Sequence, residues 1–117
     1  MNERQKEIKE LDAIWHEIIK LEFKGRCGLC GKAGAHAHHI ARKKGAMRWL
    51  IPNGIYLCVS CHDHDHEDIM NQKIMGIIGL PLYLNLVSHA RECKQYKTYE
   101  LKELKETLKG ELKRRQG

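Results

Sequence analysis

The sequence predicts an α+β domain, and three observations carry that expectation. Amphipathic stretches with helical spacing stand at both ends, two short strand-like segments stand between them, and two Cys-x-x-Cys pairs bracket the strands. At 117 residues the chain has room for one modest core, a size at which a metal often supplies the stability that apolar burial cannot.

The first helix is expected over residues 3–23, where Ile8, Leu11, Ile14, Trp15, Ile18 and Leu21 recur at three- and four-residue steps and Gly25 supplies a stop. Its stripe either covers the core or serves self-association. A strand is expected at Ala35 to Ile40, and Asn53-Gly54 turns the chain into a second strand at Ile55-Tyr56-Leu57, making a hairpin. Between them lies the basic run Arg42, Lys43, Lys44 and Arg48 around Gly45, a plausible phosphate-facing loop under which Trp49 and Leu50 pack. A further helix opens at Cys61 and extends to Met75. Gly76, Gly79 and Pro81 then mark a turn. Residues 82–93 fit a buried strand or a short helix, with Leu82, Leu86 and Ala90 at four-residue steps favouring the helix; Cys93 stands outside the ligand pairs. The last helix is expected over 99–115, with Leu101, Leu104, Leu108 and Leu112 on one side, Lys102, Lys105, Lys109 and Lys113 around the other, and Thr98 as its cap. The chain divides accordingly at 1–26, 27–75 and 76–117.

Lys and Arg number 21 against 15 acids, a net charge of +6 that suits an anionic partner. Residues 1–26 are neutral overall, 27–93 carry +2 and 94–117 carry +4, so the excess is concentrated in the tail. No apolar run approaches the roughly eighteen residues of a membrane span, and the charged start lacks the apolar stretch of a secretory signal. No membrane partner and a cytoplasmic setting are therefore expected. There the cysteines stay reduced, and their spacing reads as metal chemistry.

Cys27-x-x-Cys30 and Cys58-x-x-Cys61, 27 residues apart, can offer four thiolates to one tetrahedral zinc, whose binding contributes folding energy directly. The window 27–66 also holds six of the eight histidines, which a four-thiolate zinc leaves unused. Neighbours on a strand point to opposite sides, so His38 and His39 cannot both aim at one point unless the backbone bends or a substrate lies between them; that geometry suits a division of labour, one holding a metal and the other handling a proton. His62 and His66 fall on one helical face and can share an ion. His36 and His64 read as polar surface residues.

Taken together, His38-His39, Asn53 and His62 with His66 resemble the HNH nucleases, the ββα-metal or His-Me finger family. The likeness covers Cys27 to about Asn71. It implies a ββα-metal core with flanking helices, His39 as general base, Asn53 as the residue tying down the loop behind it, and His38, His62 and His66 as ligands of a catalytic divalent ion. The four Cys match the structural zinc of a phage junction-resolving branch. That branch has Asp in place of His38 and Asn in place of His62. The catalytic ion is thus left among Mg²⁺, Mn²⁺, Ni²⁺ and Zn²⁺, and imidazole ligands favour the last three. The tail from Lys94 to Leu104 is similar to that of the phage NinG/Rap recombination proteins. The expected activity is metal-dependent hydrolysis of DNA phosphodiester bonds, nicking or cutting duplex or branched DNA with weak sequence preference. Backbone contacts come from Arg42, Lys43, Lys44 and Arg48, and a homodimer could cut both strands. The rival expectation is a zinc-stapled DNA-binding recombination accessory protein without cleavage; an adaptor using its helices is a third.

Overall fold

A computed structural model describes residues 1–41, 43–64, 67–90 and 95–117, with the backbone alone at 63, 64 and 67. Arg42, His66 and Cys93 lie outside the described residues.

Helix α1 (Glu3–Glu22) starts where the Asn2 side chain accepts from the Gln5 N–H at 2.8 Å and the Gln5 side chain accepts from the Asn2 N–H at 3.0 Å. It stops where Lys24 and Gly25 turn left-handed, at φ 55° and 72°, and the Gly25 N–H reaches back to the Lys20 carbonyl. Strand β1 (His36–His39) pairs antiparallel with β2 (Gly54–Leu57), His38 opposite Ile55 and His39 opposite Gly54. The remaining elements are helical: α2 (Val59–His64), α3 (Glu67–Ile78), α4 (Leu80–His89) and α5 (Thr98–Gln116). The helix expected from Cys61 thus begins two residues earlier, and residues 82–93 resolve to helix at α4, which runs to His89. Thr98 is the first residue of α5 rather than its cap; the Glu100 carboxylate accepts from the Lys97 N–H at 3.0 Å and satisfies that end. Gly79, at φ 91°, lets α3 turn into α4.

The hairpin is the wall between two apolar clusters. All four β2 residues are buried, and alternation sends Ile55 and Leu57 to one side and Tyr56 to the other. Ile55 and Leu57 join Met47, Met70, Ile74 and Leu86, beside Cys27 and Cys58. Tyr56 joins Leu11, Trp15, Ile18, Ile19, Trp49, Leu101 and Leu108. Most of the α1 stripe is therefore buried within the chain, with Leu21 left exposed. Helix α1 approaches β2 so closely that a Cβ on Gly54 would lie 2.4 Å from Ile19, leaving no room for a side chain.

Helices α1 and α5 lie side by side in the same direction, as their ion pairs rise together along both helices. Glu3 meets Lys102, Glu7 and Glu10 meet Lys105 at 2.6 and 2.8 Å, and Glu22 meets Arg115. Part of the tail's positive charge is thus spent on α1.

Candidate metal centres and the histidine hairpin

The first centre grows from two tight turns. An isolated bridge between Arg26 and Ala33 closes the loop carrying Cys27 and Cys30, while β2 runs directly into α2 with Cys58 and Cys61 around its start. Cys27 Sγ accepts from the Leu29 N–H and Cys58 Sγ from the Cys61 N–H, both at 3.4 Å. All four Sγ atoms lie within 4.8 Å of one another, and Cys30 and Cys58 approach to 3.6 Å without a disulfide. Four sulfurs bonded to one zinc at about 2.3 Å sit roughly 3.8 Å apart, so the donor set fits a tetrahedral structural zinc. The protons tell the same story. Burial works against ionising Cys27, but backbone N–H groups around its sulfur prevail and bring it down to about 6. Burial and the neighbouring sulfurs push Cys61 up to about 12. Four thiolates here need a cation.

The second grouping is built by the hairpin. His38 and His39 leave β1 on opposite faces, as alternation demands. The His38 ring lies against His62 of α2, with centroids 5.5 Å apart. His36, two residues earlier on the same face, also reaches His62, at 5.0 Å. Two imidazoles sharing a tetrahedral ion through bonds of about 2.1 Å have ring centres roughly 5 Å apart. His36 itself is exposed, in keeping with the reading of it as a polar surface residue, although its ring lies beside His62. Burial, then the neighbouring His62 and His39, pushes His38 down to about 4, which keeps the neutral form a metal requires. Among the described residues, the Cys quartet is the one set of three or more donors within 4.8 Å of each other. His38 and His62 are two imidazoles side by side, and His66 lies outside the described residues.

On the other face, His39 stacks flat on Trp15, centroids 4.2 Å apart, and its Nε2 meets the Arg48 carbonyl at 2.8 Å. A carbonyl only accepts, so Nε2 carries the hydrogen and Nδ1 keeps the lone pair. Burial lowers the His39 pKa, with the Arg48 carbonyl opposing and Lys43 assisting, so the ring is neutral near neutral pH.

Asn53 and Asp12 hold the connecting loop. The fully buried Asn53 accepts from the Ala41 N–H at 2.8 Å, donates to the Met47 carbonyl at 3.0 Å, and receives the Ile40 N–H on its own carbonyl. Asp12, on α1, takes a two-pronged pair from Arg48 at 2.9 and 2.6 Å and the Trp49 indole N–H at 2.9 Å. Trp49 is buried, as expected, whereas Leu50, expected beside it, is exposed. Arg48, expected at phosphate, is engaged by Asp12, whereas Lys43 and Lys44 are exposed. Asp12 was not foreseen, because nothing in its local pattern marks it.

Compared with family models, curated proteins and solved structures, the chain matches none. What stands is an α+β fold with a two-stranded sheet flanked by helices and a four-cysteine cluster fit for a structural zinc. No helix among the described residues is long and apolar enough to cross a membrane.

Proposed function

We propose that the chain is a zinc-stapled DNA-binding protein, and that its histidine hairpin makes it a metal-dependent DNA endonuclease of the ββα-metal (HNH) type. The DNA-binding part rests on the +6 net charge and on Lys43 and Lys44, exposed on the loop beside the hairpin. The nuclease part rests on one observation, that β1 brings His38 to His62 of α2; His39, held in one tautomer on the other face, would act on the same phosphate only with the substrate lying between the two faces. His38 and His62 would hold a divalent ion, with His36 or His66 as a further donor. Such an ion supplies charge stabilisation at the scissile phosphate and the leaving oxygen. His39 would take a proton from water through Nδ1, its ring steadied by Trp15 and the Arg48 carbonyl. The loop tied by Asn53 keeps that carbonyl in place.

DNA binding without cleavage asks less of the molecule. It is favoured by the donor inventory, in which the Cys quartet forms a full set and the imidazoles supply two clear members. Plasmid nicking with added Mn²⁺, Mg²⁺, Ni²⁺ or Zn²⁺ separates the two. The nuclease reading expects nicks with the wild type and a loss of at least about 100-fold with His39→Ala, zinc content and DNA affinity being retained. Absence of nicking with every ion, or nicking untouched by His39→Ala, leaves the binding protein alone.

A further inference from the structure

A cleft of about 860 Å³ opens between the first turn of α1, the 45–49 loop and the start of α5. Arg4, Arg48 and Lys97 line it together with Trp49, Tyr96 and Gln95, and no carboxylate is among its lining residues. We propose that this cleft binds single-stranded DNA, seating one or two nucleotides next to the histidine hairpin.

Three features point to that ligand. The first is unspent charge. Arg48 is engaged by Asp12, but the Arg4 and Lys97 side chains make no ion pair with a carboxylate among the described residues, the Glu100 carboxylate taking only the Lys97 backbone N–H; Arg4 donates to the Tyr96 carbonyl, a neutral group. Two cations on a wall without acids suit successive phosphates. The second is an aromatic wall. The Arg48 guanidinium lies 5.5 Å from the Trp49 ring centre, and the Trp49 and Tyr96 rings lie 5.9 Å apart. Trp49 is buried and tilted 54° to Tyr96, so half-buried Tyr96 is the ring that reaches the cleft surface, where a base can stack. The third is size. The volume is in the range of about 300–1,000 Å³ typical of pockets that enclose a small ligand, which admits splayed nucleotides and not the body of a duplex. The cleft also adjoins the hairpin, because Arg48 lines it and its carbonyl holds His39.

The placement beside His39 rests on the nuclease reading, and under that reading the preferred substrate carries an unpaired strand, such as a flap or junction. The cleft's affinity for single strands does not depend on cleavage. The test measures binding of a short fluorescent oligothymidylate, and of a duplex of equal length, to the full chain by anisotropy across a salt series. Removing two phosphate contacts in the Arg4→Gln, Lys97→Gln double variant should weaken oligothymidylate binding about tenfold. It should also reduce the slope of log affinity against log salt by about 1.4. Tyr96→Ala should weaken it by about fivefold or more at every salt concentration. Duplex binding should change by less than about twofold in each. Zinc content and thermal melting verify that the variants are folded. Equal losses on both DNAs would show a diffuse basic surface, and unchanged oligothymidylate binding would show another site; either overturns the cleft. A wild type that binds single strands in this pattern but nicks nothing sinks the nuclease reading and leaves the cleft standing.

Discussion

Asn53 does with one side chain what a loop of this length cannot do alone. It gives the Ala41 N–H an acceptor and the Met47 carbonyl a donor, in a place where water does not reach. Asn53→Ala leaves both backbone groups without partners and should cost about 2–5 kcal/mol in denaturant unfolding, since each unmet buried group costs about 1–3. Asp12 is the second fastener, and it titrates. Burial works against its ionisation, but Arg48 and Trp49 prevail and hold its pKa below the ordinary 3.8. Because the folded value is the lower, its stabilisation is complete above that ordinary value and is lost as pH falls through the folded one. Thermal melting from pH 5 to pH 2 should therefore show a smaller acid loss for Asp12→Asn than for the wild type, from a lower starting stability. Of these two residues only Asn53 was singled out from the sequence, as a turn residue before the second strand and, through the resemblance to the HNH family, as a tie for the loop. Asp12 acts on Arg48 and Trp49, 36 and 37 positions away, and no local periodicity encodes such a partnership.

Among the elements, the two Cys-bearing turns were the most legible, because tetrahedral thiolate ligation fixes the spacing within each pair. The hairpin was legible as alternating residues around Asn53-Gly54. What could not be read was that α2 would present His62 to His36 as well as to His38, since this depends on how α2 docks against β1. The quartet joins the loop before β1 to the start of α2, and its removal should be felt by both. Chelation of zinc, or Cys58→Ser, should abolish cooperative melting of the hairpin region and lower the helical circular dichroism signal. A chelated protein that kept the full signal and its melting transition would assign the quartet a role other than structural.

At the scale of the whole molecule, the helices farthest apart in sequence are neighbours. Leu101 and Leu108 of α5 complete the cluster that Leu11, Trp15 and Ile18 of α1 begin, and acid–base pairs run alongside. Leu101→Ala, at a site with no exposure, should destabilise the protein by about 2–4 kcal/mol, measurable as a lowered denaturation midpoint at unchanged slope. The sequence disclosed both amphipathic faces but not that they belong to each other, because complementary stripes carry no address. The charge count is silent on pairing for the same reason: two tail lysines, Lys102 and Lys105, are engaged by α1 glutamates.

The pairing of His39 with Gly54, and of His38 with Ile55, also sets how the loop between the strands can change. Insertions between residues 41 and 53 that respect the ties to Asn53 and Asp12 leave the imidazoles where they are. Sliding β1 past β2 by a single position turns the strand over, sending the ring beside Trp15 toward the cysteine side and its neighbour toward α1. Loop length is therefore open to variation, whereas the parity of the strand is not.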